Sequence, residues 1–164
     1  MISKLKKEKF IVIKSYPFSN NKELLKEFKK KKIISNMWIE DFLKKNNKKI
    51  KNNLFPCKLF RLNLKKDLGI KKPSYLRNIY KVIKKKGYKL VEPEVAIYTR
   101  LLYKQKNPGE WIRFATPLKA MIDVDGIPHL PKIGYGLNNY FIETYWAYPK
   151  AIFHPKNDFI VKGK

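Results

Sequence analysis

Lysine sets the terms on which this chain can fold. Residues 1–90 carry 28 basic and 6 acidic side chains, a net of about +22, while residues 91–164 carry 10 basic and 7 acidic, about +3. A compact state of the first portion works against its own repulsion. Any helix there must be amphipathic, with its lysines in water and its apolar stripe docked on something else. The second portion therefore reads as the scaffold: a helix plus an antiparallel sheet region at 91–164. Residues 1–90 read as a basic helical or mixed region that shares its core.

The local signals follow that division. Phe10–Lys14 reads as a short strand, and Asn20 or Asn21 caps a helix over roughly Lys22 to Lys32 with Leu24, Leu25 and Phe28 inward. A second short helix covers Asn36 to Lys45, capped by Ser35, with Trp38, Ile39, Phe42 and Leu43 on its inner face. Residues 44–53 are polar and basic without periodicity, and read as a loop. Phe60 to Lys65 alternates as a strand does. Pro73 and Ser74 open the strongest helix, in which Leu76, Ile79, Tyr80 and Ile83 keep helical spacing, Lys84–Lys86 fill the last turn, and Gly87 ends it. A short strand is expected at Tyr88–Val91. Pro93 starts a further helix with Val95, Ala96, Tyr98, Leu101 and Leu102 inward.

From Glu110 onward the pattern turns to strands: Trp111–Ala115, a segment ending at Asp125-Gly126, and a returning arm Ile127–Leu130 that Pro128 consigns to an edge. The longest strand expected is Tyr140–Tyr148, with Tyr140, Ile142, Thr144, Trp146 and Tyr148 on one face. Trp146 is expected in the core, and Tyr135 or Tyr145 on an exposed face. Ala151–His154 and Phe159–Val161 are two short final strands. The expected fold class is α+β, with early short helices docked on a late antiparallel sheet.

The whole chain has 38 Lys plus Arg against 13 Asp plus Glu, and arginine occurs only at Arg61, Arg77, Arg100 and Arg113. Such a surplus calls for a counter-charge in the working state. Lysine supplies point charges for phosphate rather than the bidentate fork that reads guanine, so the pattern points to recognition of a nucleic-acid backbone or shape. The candidate contacts are Lys29, Lys30, Lys31 and Lys32; Lys44, Lys45, Lys48, Lys49 and Lys51; Lys71 and Lys72; Lys84, Lys85 and Lys86; and Arg77. Lys29–Lys32, Lys44–Lys51 and Lys84–Lys86 are expected to share one face, where they would track phosphates with a strongly salt-dependent affinity. A basic run Lys4–Lys9 precedes them. Aromatic residues of the Tyr140–Tyr148 strand are candidate stacking partners for unpaired bases.

Cys57 is the only cysteine. It permits neither an internal disulfide nor a cysteine-based metal site, and reads as a structural thiol. No apolar stretch reaches 20 residues and no signal-peptide core opens the chain, so a soluble intracellular protein without membrane insertion is expected.

Leu118-Lys-Ala-Met-Ile-Asp-Val-Asp-Gly126 resembles the motif of the LAGLIDADG homing endonucleases. In that family the motif is a helix whose last acid holds a metal at DNA, which would make Asp125 the ligand. Lys119 and Ala120 depart from its small packing residues, and a hairpin ending in Asp-Gly accounts for the same string. Asp123, Asp125, His129, Glu143 and His154 are the side chains a divalent ion would need to gather.

The expectation is a nonenzymatic nucleic-acid-binding protein without a cofactor, with RNA ahead of DNA. It would be part of a ribonucleoprotein such as a ribosome, with protein partners in a larger assembly. A small metal-dependent nuclease using Asp123 and Asp125 is the alternative from another class. A structural subunit docking by its aromatic surface is a third.

Overall fold

A computed structural model of the chain describes residues 9–47 and 51–164. Strand β1 (Ile11–Ile13) leads through a turn to helix α1 (Asn21–Lys30). Asn20 begins α1 by accepting a hydrogen bond from the Glu23 backbone N–H at 3.2 Å, which satisfies one of the helix's free donors. Strand β2 (Ile34–Ser35) and helix α2 (Met37–Lys45) follow. The cap of α2 is Asn36, whose Oδ1 accepts from the Ile39 N–H at 3.1 Å, and not Ser35. Ser35 is engaged in strand pairing opposite Ile142, so the helix starts one residue later than its sequence suggests.

After a 3-10 turn at Asn52–Leu54 come strand β3 (Cys57–Asn63), the two-residue strand β4 (Ser74–Tyr75) and helix α3 (Leu76–Lys85). Gly87 closes α3 with φ +85°, a conformation that side chains with a Cβ resist. Helix α4 (Pro93–Leu102) begins with proline, as expected. The remaining elements are β5 (Trp111–Phe114), β6 (His129–Gly136), β7 (Asn139–Trp146), β8 (Ile152–Phe153) and β9 (Asp158–Lys162).

Among the described residues seven strands form one sheet in the order β1-β3-β9-β5-β6-β7-β2, and β4 pairs with β8 as a separate two-stranded piece. The fold is α+β with early helices, but the sheet is mixed rather than antiparallel. β9 lies parallel to β5, and β2 lies parallel to β7. Alternation in a sequence marks strands and their faces, not their directions. The chain from β5 to β9 is long enough to return to the same end of the sheet, as a parallel pair requires. Residues from both sides of position 90 interleave, since β3 pairs with β9 and β2 with β7.

Alternation also sorts the core into two layers. Leu59, Ile112, Phe114, Ile133, Ile142 and Ile160 face one way and pack with Leu24, Phe28, Ile39 and Leu43 of α1 and α2 and with α4. Leu62, Leu130, Phe159 and Val161 face the other way and pack with Leu76, Ile79, Tyr80 and Ile83 of α3. Helices thus cover both faces, and among the described residues α3 is the helix on the second.

Further expectations need correction. The Pro128 arm is not an open edge: on one side Pro128 bridges Ile122 and the His129 N–H donates to the Met121 carbonyl at 2.7 Å, and on the other the arm runs into β6, whose His129 and Leu130 pair with β7. Pro131 of β6 is accommodated because pairing with β5 stops at Lys132, so the missing N–H interrupts nothing there. Residues 118–126 form turns rather than the helix of a LAGLIDADG motif. Ile122 bridges Pro128, the Gly126 N–H donates to the Asp123 carbonyl, and Gly126 takes φ +78°. The hairpin turn at Asp125-Gly126 is therefore formed, but with a single bridge in place of an extended arm. Tyr88–Val91 is not a strand; Lys89 makes one bridge, to Lys162. Trp146 is 62% exposed rather than core, and Trp38 is half-buried, its ring against His129 at 5.1 Å between centroids.

Candidate nucleic-acid interface

The basic runs do not all share a face. Lys29 and Lys30 end α1, and Lys31 and Lys32 form the turn after it. Lys44 and Lys45 end α2. The two helices are antiparallel: Asn21 at the start of α1 donates its side-chain amide to the Asn46 carbonyl at the end of α2 at 2.7 Å, and Lys22 donates its N–H to Asn47 Oδ1 at 3.0 Å. Lys29–Lys32 and Lys44–Lys45 therefore sit at opposite ends of the pair, about 15 Å apart along a helix rising 1.5 Å per residue. Lys51 opens the 3-10 turn and is exposed. Lys48, Lys49 and most of the Lys4–Lys9 run lie outside the described residues.

Lys71, Lys72, Arg77, Lys84, Lys85 and Lys86 belong to the other layer, built around α3. Lys81 and Lys89 join them there, two residues that stand outside the lysine runs. The signal that finds them is the absence of acid: the 24 residues from Leu68 to Val91 hold eight basic side chains and no Asp or Glu. All eight are exposed. None of the eight forms an ion pair within the described residues; the carboxylates there that do pair engage Arg61, Lys44, His129, Lys132 and Lys162.

The local reason is the helical period. Leu76, Ile79, Tyr80 and Ile83 are buried, and Tyr80 reaches through the core to donate its hydroxyl to the Thr116 carbonyl at 2.7 Å. With those positions inward, Arg77, Lys81, Lys84 and Lys85 recur at i, i+4, i+7 and i+8 along the outer surface. The stripe carries one sign of charge from end to end.

On the same face of the sheet as α3, β5 and β6 place two further cations. Arg113 and Lys132 are cross-strand partners. The Arg113 guanidinium carbon lies 5.5 Å from the Tyr145 ring centroid and 5.7 Å from that of Phe153. Burial lowers the Arg113 pKa, and its Nε is buried with no hydrogen-bond partner. Lys132 Nζ lies 4.3 Å from the Trp111 centroid and 3.7 Å from Glu143. Tyr145 is 37% exposed, as the sequence anticipated for one stacking candidate. Tyr135, the other, is half-buried against Tyr140 on the opposite face, at 5.1 Å between rings.

The proposed metal-ligating side chains are dispersed. His129 is 3% exposed, and its Nε2 lies 2.9 Å from Asp123 Oδ2 while its Nδ1 lies 3.0 Å from Thr144 Oγ1. Asp123 Oδ1 accepts the backbone N–H groups of Asp125 and Ile127, both at 2.9 Å. The bond from His129 foremost, together with these amides, holds the Asp123 carboxyl below its usual range. The adjoining cavity is about 40 Å³, lined by Trp38, Phe42, Met121 and His129 among others. Glu143 projects from the other face of β7 toward Lys132, so it does not converge with Asp123 or Asp125. His154 is exposed in a turn, accepting the Lys156 N–H. No three His, Cys, Asp or Glu side chains gather as a metal site among the described residues. Cys57 is buried, and burial raises its thiol pKa.

No helix among the described residues is long and apolar enough to cross a membrane. Comparison with known proteins returns no match: no family model, no curated protein and no solved structure aligns significantly with the chain.

Proposed function

We propose that this protein binds nucleic acid without chemistry of its own, RNA ahead of DNA, and that it does so through the α3 layer. One observation carries the reading: eight exposed cations and no carboxylate in a single 24-residue segment laid over one side of the sheet. A solvated helix normally intersperses acids with its lysines, because like charges four residues apart oppose each other. Here α3 keeps its stripe of Arg77, Lys81, Lys84 and Lys85 without that relief. Lysine ammonium groups meet phosphates as point charges and release the counterions condensed on the strand. A structural RNA in a ribonucleoprotein particle is a ligand that such a surface suits.

The test is a binding titration of RNA and DNA oligonucleotides against the whole protein over a salt series. Affinity should fall roughly 10³-fold or more between 50 and 200 mM salt if six or more phosphates are engaged. Absence of binding at low salt, or binding indifferent to salt, refutes the proposal.

A further inference from the structure

Arginine is scarce in this chain, and its four copies are used in two ways. Arg61 is tied to Asp158, with Nε to Oδ2 at 2.7 Å, and to Glu110. Arg100 is buried under α4, where it donates to Gln105 Oε1 at 2.8 Å and to the Gly134 carbonyl at 3.2 Å and lies 4.5 Å from the centroid of the half-buried Tyr140 ring. The other two likewise have no carboxylate partner among the described residues, but the tyrosine ring that each lies over is open to solvent. The Arg77 guanidinium carbon is 5.4 Å from the Tyr75 centroid, and that of Arg113 is 5.5 Å from the Tyr145 centroid. Both rings are more than a third exposed, Tyr75 at 38% and Tyr145 at 37%.

Both pairs belong to the α3 side of the sheet. Strand β8 stands between them: Phe153 packs its ring 5.4 Å from Tyr145, and the adjacent Ile152 pairs with Tyr75 on β4. β4 runs directly into α3, so the lysine stripe starts where the first pair ends.

From this placement we infer that the α3 layer takes a single-stranded stretch of RNA, with unpaired bases stacking on Tyr75 and Tyr145. The inference rests on the nucleic-acid reading above and narrows its ligand. The physical argument is complementarity of two kinds. A part-exposed ring with a guanidinium over it offers a base aromatic surface and a planar cation together, which are the contacts single strands use and duplexes withhold. The stripe of Arg77, Lys81, Lys84 and Lys85 then neutralises the phosphates that follow. Lysine alone would serve a backbone; a planar cation over an exposed ring serves a base. Glu143, the one acid on this part of the sheet, is neutralised by Lys132 at 3.7 Å.

The experiment compares a 12-nucleotide single-stranded RNA, the same RNA in a blunt duplex, and the matching single-stranded DNA. Each is titrated by fluorescence anisotropy against wild type, Tyr75→Ala, Tyr145→Ala and the two Tyr→Phe variants. The wild type should prefer single-stranded RNA to the duplex. Each alanine should weaken single-strand binding roughly five- to hundredfold and leave duplex binding within about twofold, since phosphate contacts are untouched. Each phenylalanine should restore it. Circular dichroism checks the fold. Tyr75 lies on the outer side of β4, so Tyr75→Ala decides the matter if Tyr145→Ala does not fold. Equal losses on single strand and duplex, or none on either, overturn the stacking sites while leaving phosphate binding intact. Preference for the DNA strand overturns the RNA assignment. Failure of wild type to bind any of the three at low salt overturns the parent reading as well.

Discussion

Replacing Ile79 by alanine should loosen α3 from the sheet and carry the binding surface away with it. Ile79 is fully buried between α3 and the strand residues Leu62, Leu130, Phe159 and Val161. α3 has ten residues and no side-chain cap at its start, so it is marginal alone and depends on this packing. Truncating a buried isoleucine to alanine costs about 2–5 kcal/mol, from lost transfer free energy and the cavity left behind. Against a total stability of about 5–15 kcal/mol this is a large share. With a urea m-value of about 1–3 kcal/mol per molar, the unfolding midpoint should drop by roughly 1–2 M. Trp38→Ala is the useful comparison. Trp38 is half-buried, so its truncation should cost less than the 3–5 kcal/mol typical of a fully buried aromatic. Val124, exposed on the hairpin, should shift by no more than about 0.5 kcal/mol when changed to alanine. Urea denaturation followed by circular dichroism gives all three midpoints. An Ile79→Ala midpoint equal to wild type, or a smaller drop than that of Trp38→Ala, would refute the docking of α3 described here.

Two further outcomes follow from local geometry. An added Cβ at Gly134 would meet Trp111 ring carbons at 2.7–2.9 Å, so Gly134→Ala should destabilise by about 1–3 kcal/mol through overpacking and change tryptophan fluorescence; thermal melts and emission spectra check both. The folded state holds the Asp123 carboxyl below its usual range, so this group's contribution is complete above the unfolded carboxylate pKa and is lost as pH falls through the lower folded value. Asp123→Asn keeps the acceptor for the turn amides but not the charge, so its melting-temperature deficit against wild type should be largest near neutral pH and shrink in acid; a deficit that grows in acid would contradict the assignment.

Much of this architecture is legible before any coordinates. The inner residues of α3, the proline start of α4, the asparagine cap of α1 and the two faces of β7 all follow from spacing and capping chemistry. Three things do not. Strand direction is set by how distant segments meet, so the parallel pairing of β9 with β5 leaves no mark in either strand. Paired interior strands and edges differ by context, and Pro131 sits inside β6 only because β5 ends beside it. Burial of Trp146 depends on whether anything covers the end of β7, which its own alternation cannot say. For the candidate interface, lysine clusters were visible as runs, but runs do not reveal layers. Lys29–Lys32 and Lys84–Lys86 look alike in sequence and lie on opposite sides of the sheet, because α1 follows one set of alternating residues and α3 the other.

That separation allows the central claim to be tested with charge held constant. Two variants, each losing four positive charges, are compared with wild type: Arg77, Lys81, Lys84 and Lys85 all to glutamine, and Lys29 through Lys32 all to glutamine. The measurement is the slope of log affinity for single-stranded RNA against log salt concentration. With about 0.7 of slope per phosphate contact on a single strand, the α3 variant should lose up to about 3 from the wild-type slope, and its low-salt affinity should fall with it. The α1 variant should keep nearly the wild-type slope and affinity. Equal losses in the two variants would mean that net charge alone drives binding. A loss confined to the α1 variant would put the contact on the other side of the sheet, and either result would contradict the assignment of the α3 layer as the nucleic-acid surface.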